Sequence, residues 1–354
     1  MLGNRIQRAR KSLGLSLRDL ADQVALSHAA IKKYEDNEAT PSSDMLIKLA
    51  EALHVRVEYF FRQQHFTLAN IEYRNHKNIP ARHLEEITAK ILDQIERRVE
   101  LENLFPSAPL QEFSKKELSR KIKDNEMVEV FAERVRAEWN LGLEPLPDLI
   151  DIFEEHGIKI FEIDNQLYPK FDGLSANIND MPIIVIGNHW PGDRQRFTLA
   201  HELGHLFLDG YISQEMDKEK ICDKFAGAFL FPRKALITML GEYRNYIEPR
   251  ELSLLKQEFG ISMLGILHRA EDVGIISNSL YRQIRLEFNE RGWSKLEPGE
   301  QYQKEKTHIF EQMIFHALAE EYIGESKAAE LMNMPLESFR SLRALENRNV
   351  AYHQ

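Results

Sequence analysis

Thr198-Leu199-Ala200-His201-Glu202-Leu203-Gly204-His205-Leu206 is the stretch on which the reading of this 354-residue chain turns. His201 and His205 are four residues apart, so in a helix both imidazoles leave one face and can meet a single metal ion, with Glu202 beside them to handle a proton. Leu199, Leu203, Leu206, Phe207 and Leu208 make that helix largely buried. A buried helix carrying three ionisable residues in five positions needs partners for them, and one metal ion partners both histidines. The competing explanation is two ordinary core histidines beside an unrelated carboxylate. Chance places His-Glu-x-x-His in about one chain in a hundred of this length.

A catalytic zinc site takes three protein ligands, so a third should follow on a nearby helix. Asp217-Lys218-Glu219-Lys220-Ile221-Cys222-Asp223-Lys224-Phe225-Ala226 supplies candidates and runs on as an apolar helical stripe that Pro232 closes. Glu219 and Asp223 are again four apart. The assignment that follows makes Glu219 the third ligand and Asp223 the carboxylate that fixes a ligand histidine's tautomer. Glu215 and Asp217 compete for the ligand role, since the helix dipole also explains acidic residues in a first turn.

At these residues the chain resembles the ImmA/IrrE family of metallopeptidases. The resemblance runs through Phe171-Asp172-Gly173-Leu174-Ser175-Ala176, Pro182 to Ile186, Arg194 to Thr198, the zinc helix, and Glu219 to Pro232. It implies a Zn2+ cofactor, Glu202 as the catalytic base, and a protein substrate, typically a helix-turn-helix repressor. Pro182 to Ile186 reads as a strand of a small sheet to whose edge an extended substrate could add. Arg194, Arg196, Tyr211 and His268 are the candidates for stabilising an oxyanion.

Residues 2–62 carry a second signal. Apolar residues recur at helical spacing through Ile6, Ala9, Leu13, Leu17, Leu20, Ala21, Val24, Ile31, Leu46, Leu49 and Leu53, broken by short turns, with Ser16, Ser27 and Ser42 or Ser43 as N-caps. The order Ser16 to Ala21, a turn, Ser27 to Tyr34, then Glu35-Asp36-Asn37 resembles the XRE-type (Cro-like) helix-turn-helix family. Such a module lays its second helix, here Ser27 to Tyr34, in the major groove of a double-stranded DNA operator. His28, Ala29 and Lys32 would then face bases, and Arg18, Ser27, Lys33 and Asn37 would hold phosphates. Leu17 stands where the family commonly has glutamine. Asn37 stands where it commonly has glycine, a mild departure because asparagine tolerates the left-handed conformation.

Charge restricts where a polyanion could bind. Residues 1–62 hold 10 Lys and Arg against 8 Asp and Glu, a net of +2, which leaves −12 for the rest of a chain whose total is −10. No apolar run is long enough to cross a bilayer. Met1 to Arg5 opens into the first helix without a secretory core, and Cys222 alone forms no internal disulfide, so the cytoplasm is the expected compartment. The fold class expected is α+β and mostly helical. A helix-turn-helix domain occupies 1–63, a helical linker or dimerisation segment 64–120, a zincin-like domain with a small sheet 121–300, and a helical extension 301–354. In the linker, Ala81 to Leu104 reads as one amphipathic helix with the stripe Ile87, Ile91, Ile95 and Val99; it either pairs with a second copy as a homodimer contact or packs on its own chain. Ser326 to Phe339 faintly resembles another helix-turn-helix, although a small-residue helix before an Asn-Met-Pro turn is more often a packed hairpin.

Two functions from different classes fit this pattern. One is a DNA-binding regulator that is also a zinc endopeptidase. The other is an antitoxin or transcription regulator whose peptidase domain is inactive and serves sensing or partner binding. Retention of Glu202 separates them, because holding zinc alone does not require it.

Overall fold

The computed structural model describes residues 2–62, 72–73, 80–106, 113–114, 121–164, 166, 168, 171–178 and 181–345. Part of the expected linker, 64–120, therefore lies outside the described residues. The chain divides into two compact units, one of residues 1–72, 76–109 and 312–354 and the other of 73–75 and 110–311.

The first unit begins with α1 (Leu2–Ser12), α2 (Leu17–Gln23), α3 (His28–Glu35), α4 (Ser43–Ala52) and a 3-10 turn, Val57–Phe61. Each boundary has a local cause. Ser16 and Asp19 form a reciprocal capping box on α2, Ser27 accepts the Ala30 amide on α3, and Ser42 accepts the Met45 amide on α4. Ala25 (φ 56°) reverses the chain between α2 and α3, and Asn37 (φ 60°) takes the left-handed conformation after α3. Ile6, Ala9, Leu20, Ala21, Val24, Ile31, Leu49 and Leu53 fill the core. Glu35, buried in it, is gripped by Arg10 through Nε at 2.6 Å and Nη2 at 2.9 Å.

The long amphipathic helix is α5 (Ala81–Glu102), and it packs on its own chain against α1. Ile87, Ile91 and Ile95 are buried, and Glu96 is pinned between Arg5 and Arg8 of α1. The chain also returns to this unit from residue 312 onward. Helix α14 (Ile309–Ala319) leads to α15 (Glu325–Leu331) and α16 (Leu336–Arg343). Arg62 binds Glu330 at 2.6 Å, Lys327 binds Glu100 at 2.5 Å, and Arg97 donates to the Leu331 carbonyl at 2.7 Å. Ser326 to Phe339 folds as a helical hairpin whose local geometry parallels that of α2 and α3. Helices α15 and α16 match α2 and α3 in length and spacing, and Asn333 (φ 54°) turns the chain where Ala25 does. The Met334 amide bonds to the Ala329 carbonyl as the Leu26 amide does to that of Ala21.

The second unit holds α6 (Asn125–Glu138), α7 (Leu149–Glu155), β2 (Lys159–Ile163), β3 (Gly173–Ile178), β4 (Met181–Gly187), α8 (Gly192–Leu208) and α9 (Lys218–Leu230). It continues with α10 (Arg233–Leu240), α11 (Pro249–Phe259), α12 (Met263–Val273) and α13 (Asn278–Glu290). With β1 as Glu72–Tyr73, the sheet order is β1-β3-β4-β2. Strand β4 pairs antiparallel with β3 and parallel with β2, so Pro182 to Ile186 is interior to the sheet and offers no free edge. Its near-continuous apolar run suits a strand flanked on both sides. Ile184 and Ile186 join one core with Leu199, Leu203 and Phe207 of α8 and Phe225 and Phe229 of α9.

Residues 297–308 have no regular structure and are fastened by two carboxylates. Glu297 accepts the Met263 and Leu264 amides at the start of α12 and binds Lys256, a buried cation that also meets Asp193 of α8 at 2.9 Å. Glu305 accepts the Leu149 amide at 2.7 Å and the Ile150 amide at 3.3 Å at the start of α7, and it pairs with Arg196 of α8. Each carboxylate thus satisfies orphan amides at a helix N-terminus and neutralises a buried cation tied to α8.

Candidate metal centre and nucleic-acid interface

Helix α8 presents His201, Glu202 and His205 toward α9 and β3, and Gly204 lets α9 come close. A Cβ there would lie 3.2 Å from the Phe225 ring and 3.4 Å from Cys222, so a larger residue would push α9 away. The close approach brings Glu219 to the histidines. Its carboxylate oxygens lie 3.3 Å from His201 Nε2 and 3.7 Å from His205 Nε2. One ligand atom from each of His201, His205 and Glu219 falls within 4.8 Å of the others, a cluster that could hold a metal ion. Glu215 and Asp217, the competing acids, lie outside this cluster.

The orientation of both imidazoles is fixed from behind. His201 Nδ1 is 2.8 Å from Asp223 Oδ1, which makes that nitrogen the protonated one. His205 Nδ1 is 3.4 Å from the sulfur of Cys222, a fully buried thiol that burial pushes well above its ordinary pKa. With both Nδ1 atoms so engaged, the two Nε2 atoms point at each other across 3.1 Å. Such an arrangement needs positive charge between the nitrogens, and a divalent cation fits the donor set. The electrostatics agree. Burial alone would lower the pKa of His201, yet the hydrogen bonds it donates to Asp223 and Glu219 and the charges of Glu202 and Asp223 outweigh it and push His201 up to about 10, a preference for positive charge at the same place.

Glu202 stands outside the cluster. It is 7% exposed, and burial pushes its carboxyl up to about 7 against the opposing pull of His201 and of a hydrogen bond from Ser175. The Ser175 hydroxyl donates to Glu202 Oε2 at 2.7 Å. Nothing local in the sequence marks Ser175 or Cys222, a strand serine and a helix cysteine that meet an ionisable group only across the fold.

Among the oxyanion candidates, Arg196 is unavailable to a substrate: it is fully buried and held by Glu305 and by the carbonyls of Leu146 and Pro147. Arg194 pairs with Asp172 at 2.6 Å and stacks on Trp190, and His268 pairs with Asp272 at 3.4 Å.

In the first unit His28, Ala29, Lys32 and Lys33 are all exposed at positions that share one side of α3, and Arg18 is exposed on α2. Ser27 spends a lone pair on its N-cap bond, and Lys32 forms an ion pair with Asp36 at 2.6 Å that base contact would have to open. Asn37 is engaged inside the module: its Oδ1 accepts the Gly3 amide at 2.9 Å and its Nδ2 lies 3.4 Å from the Glu35 carbonyl.

Residues 153–271, which run from the end of α7 into α12 and contain the whole His-His-Glu cluster, match the M78 peptidase family described as the IrrE N-terminal-like domain. Residues 6–60 match the helix-turn-helix family. The chain joins a helix-turn-helix module to an IrrE N-terminal-like domain. The first part has a curated relative, the cryptic phage CTXphi transcriptional repressor RstR of Vibrio cholerae serotype O1, 32% identical over 54 residues. That match covers 15% of this chain and 48% of the repressor, so the chain spans about half the length of the relative. The helix-turn-helix module is thus of a DNA-binding type, and the IrrE N-terminal-like domain is peptidase-like. No helix of the described residues is long and apolar enough to cross a membrane.

Proposed function

We propose that the protein is a cytoplasmic, DNA-binding transcriptional regulator with zinc-dependent endopeptidase activity, its substrate a protein regulator such as a helix-turn-helix repressor. One observation carries the peptidase half. A buried glutamate, raised toward neutrality, sits next to a His-His-Glu cluster without belonging to it. Metal binding by itself would not call for that residue, whereas a hydrolase needs a base there.

His201 Nε2, His205 Nε2 and a Glu219 oxygen would hold the ion, with Asp223 and Cys222 fixing the two rings. When bound, zinc polarises the scissile carbonyl and makes water a better nucleophile at neutral pH. Glu202 takes the proton of the attacking water and delivers it to the leaving amine. A carboxylate with its pKa near the working pH suits both transfers. The position of Glu202 away from bulk solvent keeps that proton local.

The experiment is incubation of the full-length protein with candidate repressors. Cleavage that stops with a chelator and returns with added zinc supports the reading; cleavage indifferent to the chelator, or none by zinc-loaded protein on any repressor encoded nearby, defeats it. The DNA half is tested separately. Lys33, exposed and free of a helix-internal ion pair of the Lys32 kind, is assigned to phosphate. Lys33→Ala should weaken binding to operator and unrelated DNA alike and reduce the slope of log K against log salt by about 1. A variant that loses only sequence preference would place Lys33 on a base instead.

A further inference from the structure

The packing of β3 on α8 assigns a role to a residue outside the metal cluster. We propose that Ser175 is the positioning residue that holds Glu202 in its proton-accepting orientation, an inference that rests on the peptidase reading above. Gly173 and Ser175 are two apart on β3 and so share a face. Thr198 and Glu202 are four apart on α8 and share a face as well. The two faces are pressed together at Gly173, where a Cβ would fall 2.5 Å from Thr198 Cγ2, 2.9 Å from the Val185 carbonyl and 3.6 Å from Glu202 Cγ. No residue but glycine fits there without displacing strand or helix. One pleat further on, that close approach puts the Ser175 hydroxyl 2.7 Å from Glu202 Oε2.

Ser175 is completely buried, between the buried apolar residues Leu174 and Ala176 on the same strand. A hydroxyl in such a place must be hydrogen-bonded, and packing alone would be served as well by alanine. Its partner is the carboxylate that the mechanism uses, at the length of a charge-assisted bond. A glutamate has three side-chain torsions, and few of their combinations aim an oxygen at the water beside the histidines. The serine fixes those torsions through Oε2 and leaves the carboxylate's other lone pairs for the proton. Holding the base within reach of its proton before the substrate arrives is what makes the transfer fast.

The test uses full-length, zinc-loaded Ser175→Ala and Ser175→Thr with a cleavable repressor, together with carboxyl-labelled glutamate NMR or a crystal structure that reads the Glu202 side chain directly. Ser175→Ala should lower kcat about 10-fold or more with KM and zinc stoichiometry unchanged and the protein still folded at the assay temperature, and its Glu202 should leave the single wild-type orientation. Ser175→Thr, which returns a hydroxyl, should recover most of the loss. A folded Ser175→Ala protein with unchanged kcat overturns the proposal, as does a loss of kcat that comes with loss of zinc. If the wild type cleaves nothing, the peptidase reading falls, while the Glu202 measurement still decides whether Ser175 positions it: one fixed orientation in both proteins overturns it.

Discussion

Glu202→Gln should leave zinc stoichiometry unchanged and slow repressor cleavage by a factor on the order of 10² to 10⁴, the range that a positioned general base contributes. Glutamine keeps the shape of the side chain and can still accept the hydrogen bond from Ser175, so the packing of β3 on α8 has no reason to change. What it loses is the basic oxygen. The donors that meet at the cluster are His201, His205 and Glu219, so removing the charge of Glu202 takes away no ligand. His201→Ala should behave differently and lose zinc together with activity. Measured metal content and single-turnover cleavage, taken side by side, distinguish the two variants. Full activity in Glu202→Gln would mean that another group moves the proton; zinc lost with Glu202 would mean that it is a ligand.

Glu305→Ala should destabilise the second unit by about 3–5 kcal/mol, the cost of leaving one member of a buried ion pair without its partner. Arg196 would be left fully buried on α8 with the Leu146 and Pro147 carbonyls and the Tyr302 ring, but no carboxylate, facing its charge. The amides of Leu149 and Ile150 would also lose their acceptor. For a domain of this size the unfolding midpoint should fall by roughly 6–20 °C. Glu305→Gln keeps an acceptor for the amides but not the charge, so it should fall between the wild type and the alanine variant. Thermal unfolding followed at fixed zinc concentration checks the order, because bound metal adds its own stabilisation. A shift below about 1 °C in Glu305→Ala would show that water replaces the carboxylate at little cost. Arg196 lies two turns or less from His201 on the same helix, so loosening that end should also lower the affinity for zinc.

The opposite behaviours of these two glutamates follow from what each one faces. Glu202 is buried against a serine hydroxyl and a histidine cluster, with its carboxyl raised toward neutrality and ready to exchange a proton. Glu305 is buried against a guanidinium and two amides and has only a structural task. Nothing in the sequence distinguishes them by residue type.

The sequence by itself determined the features written in local spacing. A four-residue interval puts His201 and His205 on one helix face whatever the rest of the chain does, and the same interval aligns Glu219 with Asp223. Serine caps and apolar periodicity delimited the helices of the N-terminal module, because capping bonds span only three residues. Tertiary structure alone decided the rest. Local spacing gives no sign that residues 312–354 return to the N-terminal unit, that α5 covers its stripe against α1 through Glu96, or that Pro182 to Ile186 is interior to its sheet. Those outcomes depend on which surfaces meet across tens or hundreds of residues, and there the burial of a charge or an apolar stripe is settled by the partner available in space, not by the neighbours in the chain. The same holds at the candidate site, where spacing delivers two imidazoles and a glutamate and nominates Glu219, but only the approach of α9 and β3 brings Glu219 to the histidines and supplies Cys222 and Ser175.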